Sequence, residues 1–464
     1  MSILNNLITR SHGPEGELSW ELDAVIRFRA TTGRVFVPPG GSNRRVRFKR
    51  LDAICRRLRD TPSLRPTGEL IAILLGLCPI GVGTVAALDA PANAPQDVPE
   101  FRLDATPLLE IGREGHPAFQ FASITGVRLF ADGRVVVSDA GAREIRLFGS
   151  DGAHLITLGG PGGGPGEFQS LDGLWTAGEE VIGAWDAESQ RITTFSANPL
   201  DASAQTQRVQ TPVNSGLPSP PQAFLGVFSN GDVLLASLAF GDPLGPNPVA
   251  DRWFLGRFRS DGSFRELLGE LRGMHRLQGF PLPFSPLPRV AVAGDSVFVA
   301  DGYEARISLL VPQRVLSSEH LMLPPRVESP NIADTWESLE AALEKEGGSI
   351  FLERMNDISP PESFPEVGGM LPAKKSTGRR NGTLWVRRYD PFVDSVWLGD
   401  VLLRPSAGGE WTIFDADGNV TASLRVPDTF IPMHVAGDRL AGVVIDTLGV
   451  ERVAIYSLES VAGR

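Results

Sequence analysis

A tight polar turn followed by an apolar strand recurs six times along the chain, and this signature limits the folds open to it. The turns are Ala131-Asp132-Gly133, Gly178-Glu179-Glu180, Asn230-Gly231, Gly294-Asp295, Asn381-Gly382 and Gly437-Asp438. The strands that follow run over 134–139, 180–186, 232–237, 296–301, 383–390 and 439–446 and are rich in Val, Leu, Ile and Phe. Asp-Gly and Asn-Gly tolerate the positive φ of short hairpin loops, and such apolar runs suit a pleated, buried surface. Units repeated in this way build a circular or solenoidal array.

Successive turns lie 47, 51, 64, 87 and 56 residues apart, against the roughly 40 to 50 residues of a four-stranded propeller blade. Second hairpins fall at Phe148–Gly152, Phe258–Gly262 and Phe414–Gly418 in the first, third and fifth units, with Pro199 and Pro312 at the same phase in the second and fourth. The last unit ends too soon for a fourth strand, since Val453–Leu458 is its third. The missing strand is expected at Pro107–Gly112, whose sequence is like His154–Gly159, so that the N-terminal strand closes the ring and hides the sheet edges. The content of 51 Gly and 37 Pro, without low complexity, fits an all-β body with many turns.

The run Val135–Phe148, with Asp139, Arg143 and Ile145 at its centre and the Gly-rich link 159–168 after it, resembles an NHL-type repeat of a six-bladed β-propeller. The resemblance extends over about residues 100–460 and is similar to that of exported bacterial propellers. It implies an all-β, six-bladed β-propeller with one helix-containing insertion and a tendency to bind partners, not a particular reaction. The glycines of the link have no Lys-Ser/Thr after them, so a flexible connection between blades is expected rather than a phosphate cradle.

Asp139, Asp186, Asp301, Asp390 and Asp446 recur just past the second strand of their units, and Arg143, Arg191 and Arg306 follow in three of them. In a propeller these loops open on one face with the links between blades. With Tyr389 they are the candidate ligand-binding residues, a rim of carboxylate and guanidinium groups for a cation or a polar ligand. A purely structural role is the competing account: each Asp accepts backbone N–H bonds of its own loop, and repetition favours it.

Signs of catalysis are few. His116, His154, His275, His320 and His434 fall at unrelated phases of the repeat, so no metal centre is expected from them, and no nucleophile elbow is present. Six-bladed lactonases and amidating lyases hold a metal in the central channel, and a metal-dependent hydrolase or lyase of that kind is the alternative reading. Asp415-Ala-Asp417-Gly-Asn419 resembles half a calcium loop but occupies a hairpin position. No cofactor is expected by default; a divalent cation such as calcium would be the one to look for.

The longest interval holds an insertion at 325–377. Asp334-Thr-Trp336-Glu337 reads as a capping-box-like start, Leu339, Ala342 and Leu343 keep helical spacing, and Gly347-Gly348 ends the helix. Trp336 and Phe351 are its expected anchors, and Lys374-Lys375 and Arg379-Arg380 follow.

Residues 1–90 read differently, with 13 Lys/Arg against 8 Asp/Glu in a chain of formal net charge -11. A basic segment from Arg44 precedes an uncharged run, Leu70–Leu88, within a signal- or anchor-like stretch at 65–90 that exits through small residues. Export to the periplasm or outside the cell is expected, and an uncleaved run of about 19 residues would also suffice for one membrane anchor. Translation from Val46 or Leu64 would reconcile so long a leader with a signal peptide. Both cysteines, Cys55 and Cys78, lie here, leaving the body, 91–464, without disulfides. The acidic body argues against nucleic acid as a partner. The expected protein is a monomeric, extracytoplasmic, non-enzymatic propeller that binds a protein or a small molecule.

Overall fold

The computed structural model describes residues 99–461 apart from 113–114, 242–244, 246, 303, 312–313, 326–329, 346–351, 354–357, 375–382, 395–406 and 416–417. The leader with its cysteines, the Asn381-Gly382 turn, Gly347-Gly348, Phe351, Lys375, Arg379-Arg380 and Asp417 lie outside the described residues. Among the described residues no helix is long and apolar enough to cross a membrane.

Strands β1 (Glu100–Leu103) and β2 (Leu109–Ile111) come first. An antiparallel sheet follows, made of β3 (Ile124–Leu129), β4 (Val135–Asp139), β5 (Glu144–Phe148) and β6 (His154–Gly159). The next contains β7 (Gly173–Ala177), β8 (Val181–Asp186), β9 (Arg191–Ser196) and β10 (Ala204–Arg208). A third contains β11 (Ala223–Val227), β12 (Val233–Ala239), β13 (Val249–Phe258), β14 (Phe264–Leu277) and the short β15 (Phe280–Pro281). A fourth contains β16 (Arg289–Ala293), β17 (Ser296–Ala300), β18 (Arg306–Val311) and β19 (Arg314–Met322). Helix α1 (Ile332–Lys345) is inserted here, before β20 (Val367–Lys374), β21 (Thr383–Arg388), the one-turn α2 (Pro391–Asp394), β22 (Gly409–Phe414) and β23 (Val420–Val426). The chain ends in β24 (Phe430–Ala436), β25 (Arg439–Ile445) and β26 (Glu451–Val461).

The hairpin glycines take the backbone conformation the turns need: Gly133 has φ 89° and Gly231 φ 84°, values costly for residues with a Cβ. The first strands touch in the order β3, β7, β11, β16, β20, β24 and back to β3. Such a closed circuit of antiparallel sheets is the arrangement of a β-propeller. The core lies between neighbouring sheets. Val127, Val135, Val137 and Phe148 of the first sheet pack on Ile431, Met433 and Val443, and Ile145, Leu147 and Leu158 meet Leu174, Ile182 and Phe195 of the next. Burying one such side chain is worth about 1.5–3 kcal/mol.

The last strands form one nine-stranded sheet, in the order β1-β23-β22-β21-β20-β24-β25-β26-β2. Strand β2 lies antiparallel on β26, with Leu109 opposite Ile455 and Ile111 opposite Val453. Strand β1, absent from the sequence reading, pairs with both β26 and β23, placing Phe101 opposite Ser460 and Leu424. At the seam the Ile124 N–H donates to Glu451 Oε2 at 2.6 Å and the Leu129 N–H to His434 Nδ1 at 3.0 Å.

Two boundaries differ from the sequence reading. The insertion expected over 325–377 stops before Val367, because 367–374 forms β20, the first strand of its sheet. Gly368, Gly369 and Pro372 hide its strand pattern. Helix α1 starts before Asp334: Asn331 Oδ1 accepts the Ala333 N–H at 2.9 Å and the Asp334 N–H at 3.3 Å, so Asn331 is the cap and Asp334 lies in the first turn.

Candidate functional site

Antiparallel order brings the loops between second and third strands to the same end of the sheets as the links from one sheet to the next. All the candidate residues lie at that end, in five loops: Asp139 with Arg143, Asp186 with Arg191, Asp301 with Arg306, Tyr389 with Asp390, and Asp446 by itself. Asp139 is fully buried; its carboxylate accepts N–H bonds from Ala122, Ser123, Gly141 and Ala142 at 2.9–3.2 Å and lies 3.4 Å from Arg146. Asp186, also buried, accepts from the backbone of Gln169, Ser170 and Ser189. Asp446 accepts from Leu448 and Val450, bonds that hold its carboxyl below the usual carboxylate range, and pairs with Arg452 at 3.2 Å. These carboxylates bind the turns that carry them, and Asp139 and Asp186 also tie those turns to the link leading into the same sheet.

Arg143 is exposed with φ 58°, and its carbonyl accepts the Gly160 N–H. Arg191 donates to the Gly163 carbonyl at 2.6 Å, while Phe168 N–H bonds to Gly160 O, so the Gly-rich link expected to be flexible is bonded to itself and to β9. Arg306 pairs with Glu304 at 3.1 Å, and Asp301 lies half-buried just past β17. Asp390 Oδ1 accepts the Phe392 N–H, capping α2. Tyr389 is buried, and burial pushes its phenol well above the ordinary range.

Tyr389 belongs to an apolar cluster with Phe284, Trp336, Leu339, Leu343 and Phe364. Helix α1 therefore lies on the links before β16 and β20. Its Trp336 ring is tilted 58° to Phe284 at 6.2 Å, and Phe364 meets Phe284 edge-on at 5.1 Å. Phe284 has φ 55°, a left-handed backbone that a bulky residue adopts only under constraint. Between 282–286 and 358–365 opens a cleft of about 340 Å³, bordered also by His275. Burial is the main cause holding the His275 imidazole below its ordinary value, with the Arg272 charge adding to it. The Ser285 hydroxyl accepts the His275 backbone N–H at 2.6 Å, joining one wall to β14.

The cleft escaped the sequence reading because its walls lie far apart in the chain. The available signal was the clustering of Pro281, Pro283 and Pro286 in one link and Pro360, Pro361 and Pro365 in the other. A larger, more polar groove of about 590 Å³ lies at the opposite end, among the hairpin turns. There Arg134 is already bonded to the Glu179 carbonyl at 2.9 Å. Among the described residues no three His, Cys, Asp or Glu side chains come together in a way that could hold a metal ion.

No family model matches this chain, and no curated protein does. Solved structures match distantly. A candidate exported protein from Bacteroides fragilis is 12% identical with a TM-score of 0.40, the match covering 79% of this chain and 98% of that one. Virginiamycin B lyase from Staphylococcus aureus is 13% identical with a TM-score of 0.35, covering 77% and 89%. Regucalcin from Agrobacterium tumefaciens, a calcium-binding protein, is 11% identical with a TM-score of 0.33, covering 78% and 96%. At such scores the architecture rests on the strand pairings and the circuit of first strands described above.

Proposed function

We propose that this protein is a six-bladed, NHL-like β-propeller that acts outside the cytoplasm as a non-enzymatic binding module. The circuit of first strands supports the blade count. One observation carries the binding reading: helix α1, absent from the repeat, packs through Trp336 on a strained Phe284, which Phe364 also meets, and so backs one wall of a cleft of about 340 Å³ beside His275. Insertions on a rigid scaffold often carry function, and strain persists where surroundings enforce it. The exposed Arg143, with Asp301, Arg306 and Asp390, adds a polar rim at the same end of the sheets.

The reading is tested with the full chain, by a thermal-shift screen of small organic compounds followed by hydrogen–deuterium exchange on each hit. Protection at 282–286 and 358–365, with the compound recovered unchanged, is the expected outcome. Protection confined to the turns at 131–134 and 178–180 would move the site to the other end. Conversion of a hit to product would replace the binding module with an enzyme.

A further inference from the structure

Resting on that reading, we propose that the cleft between 282–286 and 358–365 takes a small organic ammonium ion carried on an apolar body. Its size, about 340 Å³, lies near the lower end of ligand pockets and suits one ring with a short chain. Leu282, Pro283, Pro286 and Ile358 give it apolar walls, and Phe284 and Phe364 add aromatic ones.

Charge selects among apolar ligands. Glu362, exposed at the cleft, is the acidic side chain of the lining, which holds no Lys or Arg. Among the described residues no basic side chain pairs with Glu362. The remaining titratable wall residue, His275, is held toward its neutral form by burial. An anion entering here would lose hydration, find no cation and face a carboxylate. A neutral ring would gain the apolar contact alone. An ammonium ion gains that contact and the Glu362 carboxylate. The walls are also preformed: prolines restrict both segments, and Phe284 is fixed between Trp336 and Phe364. Less ordering entropy is then lost on binding.

Three probes of one shape separate the terms: 2-phenylethylamine, 2-phenylethanol and 3-phenylpropionate, titrated against the full chain by ligand-observed NMR. The amine is expected to bind tighter than the alcohol by up to about fivefold, the worth of an exposed ion pair, and the acid weakest. Glu362→Gln should bring the amine to the level of the alcohol. Ser363→Trp, at an exposed position in the cleft, should abolish binding of all three without lowering the melting temperature.

If the acid matches or exceeds the amine and Ser363→Trp still abolishes binding, the ammonium inference is overturned while the cleft stands as a site. An amine preference unchanged in Glu362→Gln overturns it equally. Binding untouched by Ser363→Trp places the probes elsewhere and overturns the cleft itself, as does no binding of any probe at millimolar concentration. In those two cases the exchange screen decides whether the binding module survives with its site in the other face loops.

Discussion

Ser170 has one hydroxyl proton and two carboxylates to give it to. Its oxygen contacts Asp172 and lies 3.0 Å from Asp186 Oδ1, while accepting the Glu188 N–H at 3.1 Å. With both carboxylates ionised, one contact would be oxygen against oxygen; a proton on Asp172 makes both of them bonds. Burial raises the Asp172 pKa from 3.8, against the pull of Ser170 and the Ala187 N–H, and the Asp186 charge adds to the rise. The folded state thus holds the proton more tightly than the unfolded chain. The stability this contributes is full below the unfolded value and is lost as pH rises through the higher folded one. Asp172→Asn should therefore melt higher than wild type at about pH 7, with the gap closing toward about pH 4. A gap independent of pH would show that Asp172 is ionised in the fold. Such detail is legible in sequence only where it repeats: Asp139, Asp186 and Asp446 stand out by position, and their capping of local turns follows from the turn chemistry. Asp172 occupies no repeated position, and its raised pKa comes first from burial and then from the Asp186 charge, both of which folding creates.

Helix α1 shows what an element adds to the repeat. Its apolar spacing, Trp336, Leu339 and Leu343, was readable, whereas its partners were not, because Phe284 and Phe364 sit in proline-rich links without periodicity. Strand β20 was hidden for the opposite reason: its glycines leave room for a neighbour. A side chain at Gly368 would come within 2.6–2.9 Å of Asp394, the Arg388 carbonyl and Arg387. Trp336→Ala removes the ring that holds Phe284, at an expected cost of about 3–5 kcal/mol if the cluster behaves as ordinary core. With one wall released, amide exchange at 282–286 should quicken while that of β3–β6 stays unchanged. Equal quickening in both would mean that the helix stabilises the whole ring and is no local clamp.

At the scale of the molecule, the turn signatures and the short last unit were enough to anticipate a ring closed by an N-terminal strand. The second clasp, β1, was beyond reach because four residues, Glu100–Leu103, carry too little pattern to mark a strand. Ile111 of β2 is 2% exposed and belongs to the core shared by the first and last sheets. Ile111→Ala should cost about 2–5 kcal/mol in urea unfolding, whereas Leu155→Ala, on the outer strand β6 and 38% exposed, should cost within about 0.5 kcal/mol. If the two variants behave alike, β2 contributes no more than a surface strand.

The pairing of β1 and β2 with β26 also bears on how the chain is made. The bond from Ile124 to Glu451 joins residues 327 positions apart, so the ring closes only by contacts between the beginning and the end of the body. Contacts of such separation form slowly. While the chain lengthens on the ribosome, the strands synthesised first wait longest for partners. A body cut short at any blade keeps an unpaired strand edge, the feature that invites aggregation. Chains that stop before β26 should thus be lost to proteolysis or precipitation, because β2 is then left without the strand it closes on.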